Sequence, residues 1–148
     1  MELQKVINGK PIYYTTFNIE AAKSTRTNHL QTEGSLGLNL MGKGMTVHIW
    51  DSKLARSTHQ EYRNASGNSR YSIGDKSTDI SSHATHVTGT IIASGVHKNA
   101  KGMAPYATAV GYDWNDHLIE ALDAAKKGAL LSNHSYGYSF RDTTEVVV

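Results

Sequence analysis

The chain of 148 residues has no cysteine. Disulfides, thiolate metal sites and a cysteine nucleophile are therefore excluded. It also lacks an excess of either charge: 15 Lys and Arg against 13 Asp and Glu leave +2. With the basic residues scattered along the chain, this balance offers no electrostatic footprint for nucleic acid. No apolar run approaches the ~20 residues that a membrane-spanning helix needs. The first ten residues, MELQKVINGK, have no apolar core of the signal-peptide kind. What remains is a globular composition, 39% hydrophobic and 19% charged, long enough for one core.

Periodicity and punctuation divide the chain. Val6-Ile7 and Ile12-Tyr13-Tyr14 flank Asn8-Gly9, which predicts a hairpin. Residues 19–30 suggest a short helix, and the glycine-rich stretch 34–44 a loop. Met45 to Trp50 is a β-branched and aromatic run, read as a buried strand ending at Asp51. Residues 52–82 are polar and rich in Ser, Asn and Gly, and read as a long surface excursion. Ser81 or Ser82 can cap a helix from His83, with Val87, Ile91 and Ile92 on its apolar face and Gly95 as its stop. Residues 107–112 predict a second strand. Asn115 can cap a further helix with Leu118, Ile119, Leu122 and Ala125 inward, ending at Gly128. Residues 129–132 predict a third strand, leading into Asn133-His134-Ser135-Tyr136-Gly137. Strand, helix, strand, helix, strand predicts an α/β fold with a parallel sheet flanked by helices.

In such sheets, sites form at the carboxyl ends of strands. Asp51 ends a strand and His83 begins a helix, complementary places for a carboxylate–imidazole pair. A buried Asp51 accepting a hydrogen bond from the far ring nitrogen would fix the tautomer and stabilise the imidazolium after proton uptake. Two other readings stand beside this one. Asp51 and His83 can be ordinary turn and helix-start residues. His83 and His86, three apart, could also bind zinc with Asp51 as a third ligand, although the glutamate of H-E-x-x-H is missing.

The residues also match a family pattern. Gly42-Lys43-Gly44-Met45-Thr46-Val47-His48-Ile49-Trp50-Asp51-Ser52 resembles the G-x-G-V-x-V-A-V-I-D-[ST]-G segment of subtilisin-like serine proteases, the subtilases. His83-Ala84-Thr85-His86-Val87-Thr88-Gly89-Thr90-Ile91-Ile92-Ala93 resembles their H-G-T-H-V-A-G-T-I-A-A segment. Lys101 to Ala107 is similar to G-V-A-P-x-A, and Leu131 to Gly137 to the I-N-M-S-L-G substrate strand. The resemblance implies a subtilisin-like sheet and serine endopeptidase activity by an Asp-His-Ser triad. It makes Asp51 the orienting carboxylate, His83 the general base, and Ser135, Tyr136 and Gly137 the strand that pairs with a polypeptide substrate. His86 then becomes a helix-packing residue, and Gly89 a point of close approach to the sheet. Lys53 and Ala84 stand where the family has glycine. The short link from Gly111 to Trp114 replaces a longer loop, leaving Tyr112 and Trp114 to cover that side of the cleft.

The serine segment G-T-S-x-A-x-P and the oxyanion asparagine are missing from these residues. The expected picture is an incomplete catalytic domain over residues 40–148, inactive alone. Residues 1–39 are expected to be an upstream segment, a prosequence remnant and linker. Val146-Val147-Val148 is expected to be a strand lacking its sheet, with a complementary C-terminal half or self-association through the exposed edge as its remedy. The alternative is a non-catalytic peptide-binding module. The chemistry requires no cofactor. Structural calcium is compatible with the family, and Asp75 and Asp79 offer oxygens without a nameable site. The family implies a secreted or cell-envelope location, with no nucleic acid or membrane partner.

Overall fold

A computed structural model describes residues 2–7, 9–14 and 18–137. The expected terminal strand at 146–148 lies outside them. The hairpin is present at the backbone level: β1 (Glu2–Ile7) pairs antiparallel with β2 (Lys10–Tyr14), and Gly9 takes φ +73° in the turn. Helix α1 (Asn18–Ser24) is shorter than expected and is followed by a single 3-10 turn at Thr27–His29. Gln31, which is buried, donates to the carbonyl oxygens of Gly102 and Met103 at 3.0 and 3.1 Å and so ties this segment to the domain.

The second sheet has four parallel strands in the order β4-β5-β3-β6, with β3 at Thr46–Asp51, β4 at Tyr71–Ile73, β5 at Thr108–Asp113 and β6 at Leu131–His134. Helix α2 (Ser82–Ile92) links β4 to β5, and helix α3 (His117–Lys126) carries the chain from β5 past β3 to β6. Alternation along a strand sends neighbouring side chains to opposite faces. Ile49 therefore packs with Tyr71, Ala84, Ile92 and Ala109 under α2, while Trp50 packs with Tyr112 and Ala124 under α3. Two cores result, one on each face of the sheet.

Residues 52–82 are not the surface excursion that their polarity suggested. Leu54, Ala55, Tyr62 and Tyr71 are buried, and β4 joins the sheet. The physical reason is that three large side chains, Leu54, Tyr62 and Tyr71, anchor the segment and leave its polar residues between them at the surface. Glu61 and Arg70 are buried with their polar atoms satisfied. Glu61 accepts from the backbone N–H of Gly95, Val96 and His97 at 2.7–3.0 Å, and Arg70 donates to the carbonyl oxygens of Glu61, Ile92 and Ala107.

Helix α3 departs from its expected orientation. Leu118, Ile119 and Leu122 are 75%, 73% and 57% exposed, and Ala125 is exposed too. Ala124 is buried, with Ala121 packed beside it. Stacked rings on the sheet explain this: Trp50 lies on Tyr112 with centroids 4.4 Å apart and planes 9° apart. They already fill the layer, so only alanines fit above them. The cap also differs. Asp116 holds the N-cap position without a side-chain bond, while Asn115 turns back to Asp113.

Candidate active site

The clamp that brings Asp51 and His83 together lies in the chain just beyond β3. Leu54 bridges Ile80 in parallel, donating its N–H to the Asp79 carbonyl and accepting from Ser81 N at 2.9 Å. The segment leaving β3 is thereby fixed beside the segment entering α2. Ser81 caps α2 by accepting from Ala84 N at 3.2 Å, which sets where the first helical turn begins. Asp51 points to the α2 face because it shares the parity of Ile49.

His83 Nδ1 lies 2.9 Å from each oxygen of the Asp51 carboxylate. A carboxylate only accepts, so Nδ1 carries the proton and the lone pair of a neutral ring sits on Nε2. The Asp51 side chain is 3% exposed and that of His83 56%, so the acid is sheltered while the base faces outward. Ser52 completes the carboxylate's shell, donating to Oδ1 from its N–H at 2.7 Å and its hydroxyl at 3.2 Å. The sequence reading passed over Ser52 and Leu54. The serine was visible in the D-[ST] pattern, whereas the Leu54–Ile80 bridge joins segments with no shared signal.

Ser135, Tyr136 and Gly137 follow β6 directly. Trp50 is paired with His134, so Asp51 and Ser135 come next at the same end of adjacent strands. Among the described residues β6 pairs only with β3, leaving its outer edge open. Tyr136 packs edge-on against Trp114 at 5.3 Å. Tyr112, in contrast, is buried in the ring stack and does not cover the cleft.

The sequence matches the subtilase family over residues 18–146. The chain belongs to the subtilase family. This is a serine-type protease family, and the parallel sheet with flanking helices is the fold expected of an incomplete subtilase. No curated protein is similar enough to the subtilase chain to match it.

Several expected roles change. His86 is exposed and does not pack the helix. A Cβ on Gly89 would meet nothing within 4 Å, so the close approach to the sheet comes instead from Ala84, Thr88 and Ile92, all buried. Helical geometry is the cause: residues 84, 88 and 92 form one stripe, which turns 83, 86 and 89 away. Among the described residues, no group of three or more His, Asp or Glu side chains could hold a metal, so the His83–His86–Asp51 zinc reading has no geometry behind it. Asp75 accepts from Ser77 and from Asp113 N, and Asp79 is paired with Lys53, which holds its carboxyl below the usual range. Lys53 itself adopts no positive φ, so the turn after Asp51 accommodates its side chain.

Proposed function

We propose that Asp51 and His83 are two members of an Asp-His-Ser triad in a serine endopeptidase. The observation that carries this reading is the sheltered Asp51 carboxylate on His83 Nδ1, with Nε2 left to accept a proton. In the reaction the serine hydroxyl attacks a peptide carbonyl and its proton passes to His83 Nε2. Asp51 stabilises the imidazolium, which then protonates the leaving amine. Ser135, Tyr136 and Gly137 receive the polypeptide substrate by strand addition. The open edge of β6 supports that role. No cofactor enters the chemistry.

These 148 residues contain no serine in a nucleophile context. On this reading the chain alone is inactive, since the triad acts as a unit. A complementary C-terminal piece supplies the serine, and without it the open edge favours self-association. The working location is outside the cell or in its envelope, where extracellular subtilases act. Among the described residues no helix is long and apolar enough to cross a membrane.

The test joins this chain to a C-terminal piece bearing G-T-S-x-A-x-P and measures peptide hydrolysis. His83→Ala should lower kcat by about 10⁴-fold or more; an unchanged kcat refutes the assignment. The open β6 edge also favours a second reading, a module that holds extended peptide without cleaving it. Peptide binding by the chain alone, insensitive to His83→Ala, together with no hydrolysis by the joined protein, would select it.

A further inference from the structure

Helix α3 buries only Ala124 and leaves its large apolar residues outside. Leu118, Ile119, Leu122, Ala125 and Lys126 are all exposed, and their spacing puts the five on one face of the helix. The opposite face sits on the Trp50–Tyr112 stack, so this stripe has no place in the core of its own chain. The exposed fractions of Leu118, Ile119 and Leu122 amount to roughly 350 Å² of contiguous surface, the scale of a functional patch.

The charges flanking the patch select its partner. Glu120 turns inward and accepts from Trp50 Nε1 at 3.0 Å, and Asp123 accepts from Lys127 Nζ at 2.5 Å. Among the described residues, the side chains of Asp116 and Lys126 take no hydrogen bond or ion pair. One free acid therefore stands at the start of α3 and one free base at its end, about 15 Å apart along the axis. A surface with opposite charges at its two ends is complementary to itself turned end for end. A two-fold axis beside Glu120 and Ala121 lays Ile119 on Leu122 of a second copy and sets Lys126 against Asp116 of that copy, twice over. The basic end of each helix then meets the acidic end of the other, in keeping with both dipoles. A parallel pairing would oppose like charges.

We propose that α3 is a homodimer interface in which two copies pack Leu118, Ile119 and Leu122 antiparallel and exchange Lys126–Asp116 pairs. With Ala125 and the flanking side chains, the pair buries on the order of 1,000 Å² in total, the lower limit for a specific interface. The association is reversible, with a dissociation constant on the order of 100 µM. At the low micromolar concentrations of an unfolding experiment the face stays open. Helices α2 and α3 lie on opposite faces of the sheet, so the dimer leaves both Asp51–His83 pairs uncovered.

The experiment follows the NMR spectrum of the purified chain from about 5 to about 500 µM, with sedimentation equilibrium for the mass. Amide and methyl signals of residues 116–126 should shift with concentration along a single monomer–dimer isotherm. Leu122→Glu should weaken the dimer by about ten-fold or more and leave the circular dichroism of the chain unchanged. Lys126→Glu sets acid against acid and should weaken it as well. Adding Asp116→Lys to Lys126→Glu swaps the two ends and should restore association, which a purely structural role for either residue would not do. A chain that stays monomeric at the highest concentration overturns the interface. So does association that survives Leu122→Glu, or shifts confined to residues 131–137, which would place self-association at the β6 edge instead. If the chain joined to a C-terminal piece forms no dimer and shields Leu122, the face belongs to that piece and the proposal fails. The concentration series on the unsubstituted chain decides even where a variant fails to fold.

Discussion

Replacing Glu61 by glutamine changes one atom in a carboxylate that holds the end of α2. Oε2 accepts from Gly95 N at 2.7 Å, Val96 N at 3.0 Å and the Ser94 hydroxyl at 3.3 Å, and Oε1 from His97 N at 2.8 Å. Every group facing this buried carboxylate is a donor. A glutamine can turn its oxygen toward Gly95 and Val96, but its amide then faces the N–H of His97, donor against donor. One charge-assisted bond is lost and two donors are left unpaired. Bonds to charged groups contribute about 1.5–3 kcal/mol. Val96 is 64% exposed, so water relieves part of the loss. The expected cost is about 2–3 kcal/mol, a large share of the roughly 5–15 kcal/mol that holds a domain together. For a chain of this length that is a drop in Tm of about 5–10 °C. Thermal and urea unfolding followed by circular dichroism would measure it. Hydrogen exchange at residues 95–97 should accelerate before that of the strands. Glu20→Gln is the control, since the Glu20–Lys23 pair is 66% and 59% exposed and contributes little. A Glu61→Gln protein within about 0.5 kcal/mol of the parent would refute the reasoning.

Asp51→Asn should leave the fold intact and disturb the His83 tautomer, read from the nitrogen shifts of its ring; unchanged shifts would dismiss an orienting role. Gly111→Ala should destabilise by about 2–3 kcal/mol, because a Cβ there collides with the Tyr71 hydroxyl, itself fixed as acceptor from Ala55 N. Leu122→Gln on α3 should change unfolding free energy by less than about 0.5 kcal/mol, and a larger loss would mean that this face is covered. Stability should fall as pH drops below 6.5, because burial lowers the His48 and His134 values in the folded chain and the unfolded chain then binds more protons. Burial raises Glu120 above its usual 4.5, so its contribution has the opposite sign: present below that value and lost as pH rises through the raised one. The double variant His48→Gln/His134→Gln should flatten Tm against pH between 7 and 5, and an unflattened curve would refute the assignment.

Much of the fold was legible because local patterns and packing agreed. β3 and α2 lie within a residue or so of where the β-branched run, the Ser81 cap and the apolar spacing put them. The Asp51–His83 pair was legible for a related reason: it sits at an element end in each case, where strand carboxyl ends and helix starts gather side chains. Helix α3 was misread because its amphipathic pattern is real but faces outward. Periodicity identifies an apolar face without saying what covers it.

By itself the sequence determined the succession β3, α2, β5, α3 and β6, the absence of thiol chemistry, the family and the two residues of the candidate pair, while β4 escaped it. Each of these depends on residue identity or short-range spacing. Tertiary structure alone decided that Glu61 and Arg70 are buried, that Trp50, Tyr112 and His134 stack across three strands, and that Leu54 and Ile80 clamp the site. These contacts join residues far apart in the chain, and no local pattern encodes which of several compatible partners a side chain will meet. The meeting of His117 with His134 belongs to the same class. It exists only because α3 crosses β3 before the chain enters β6.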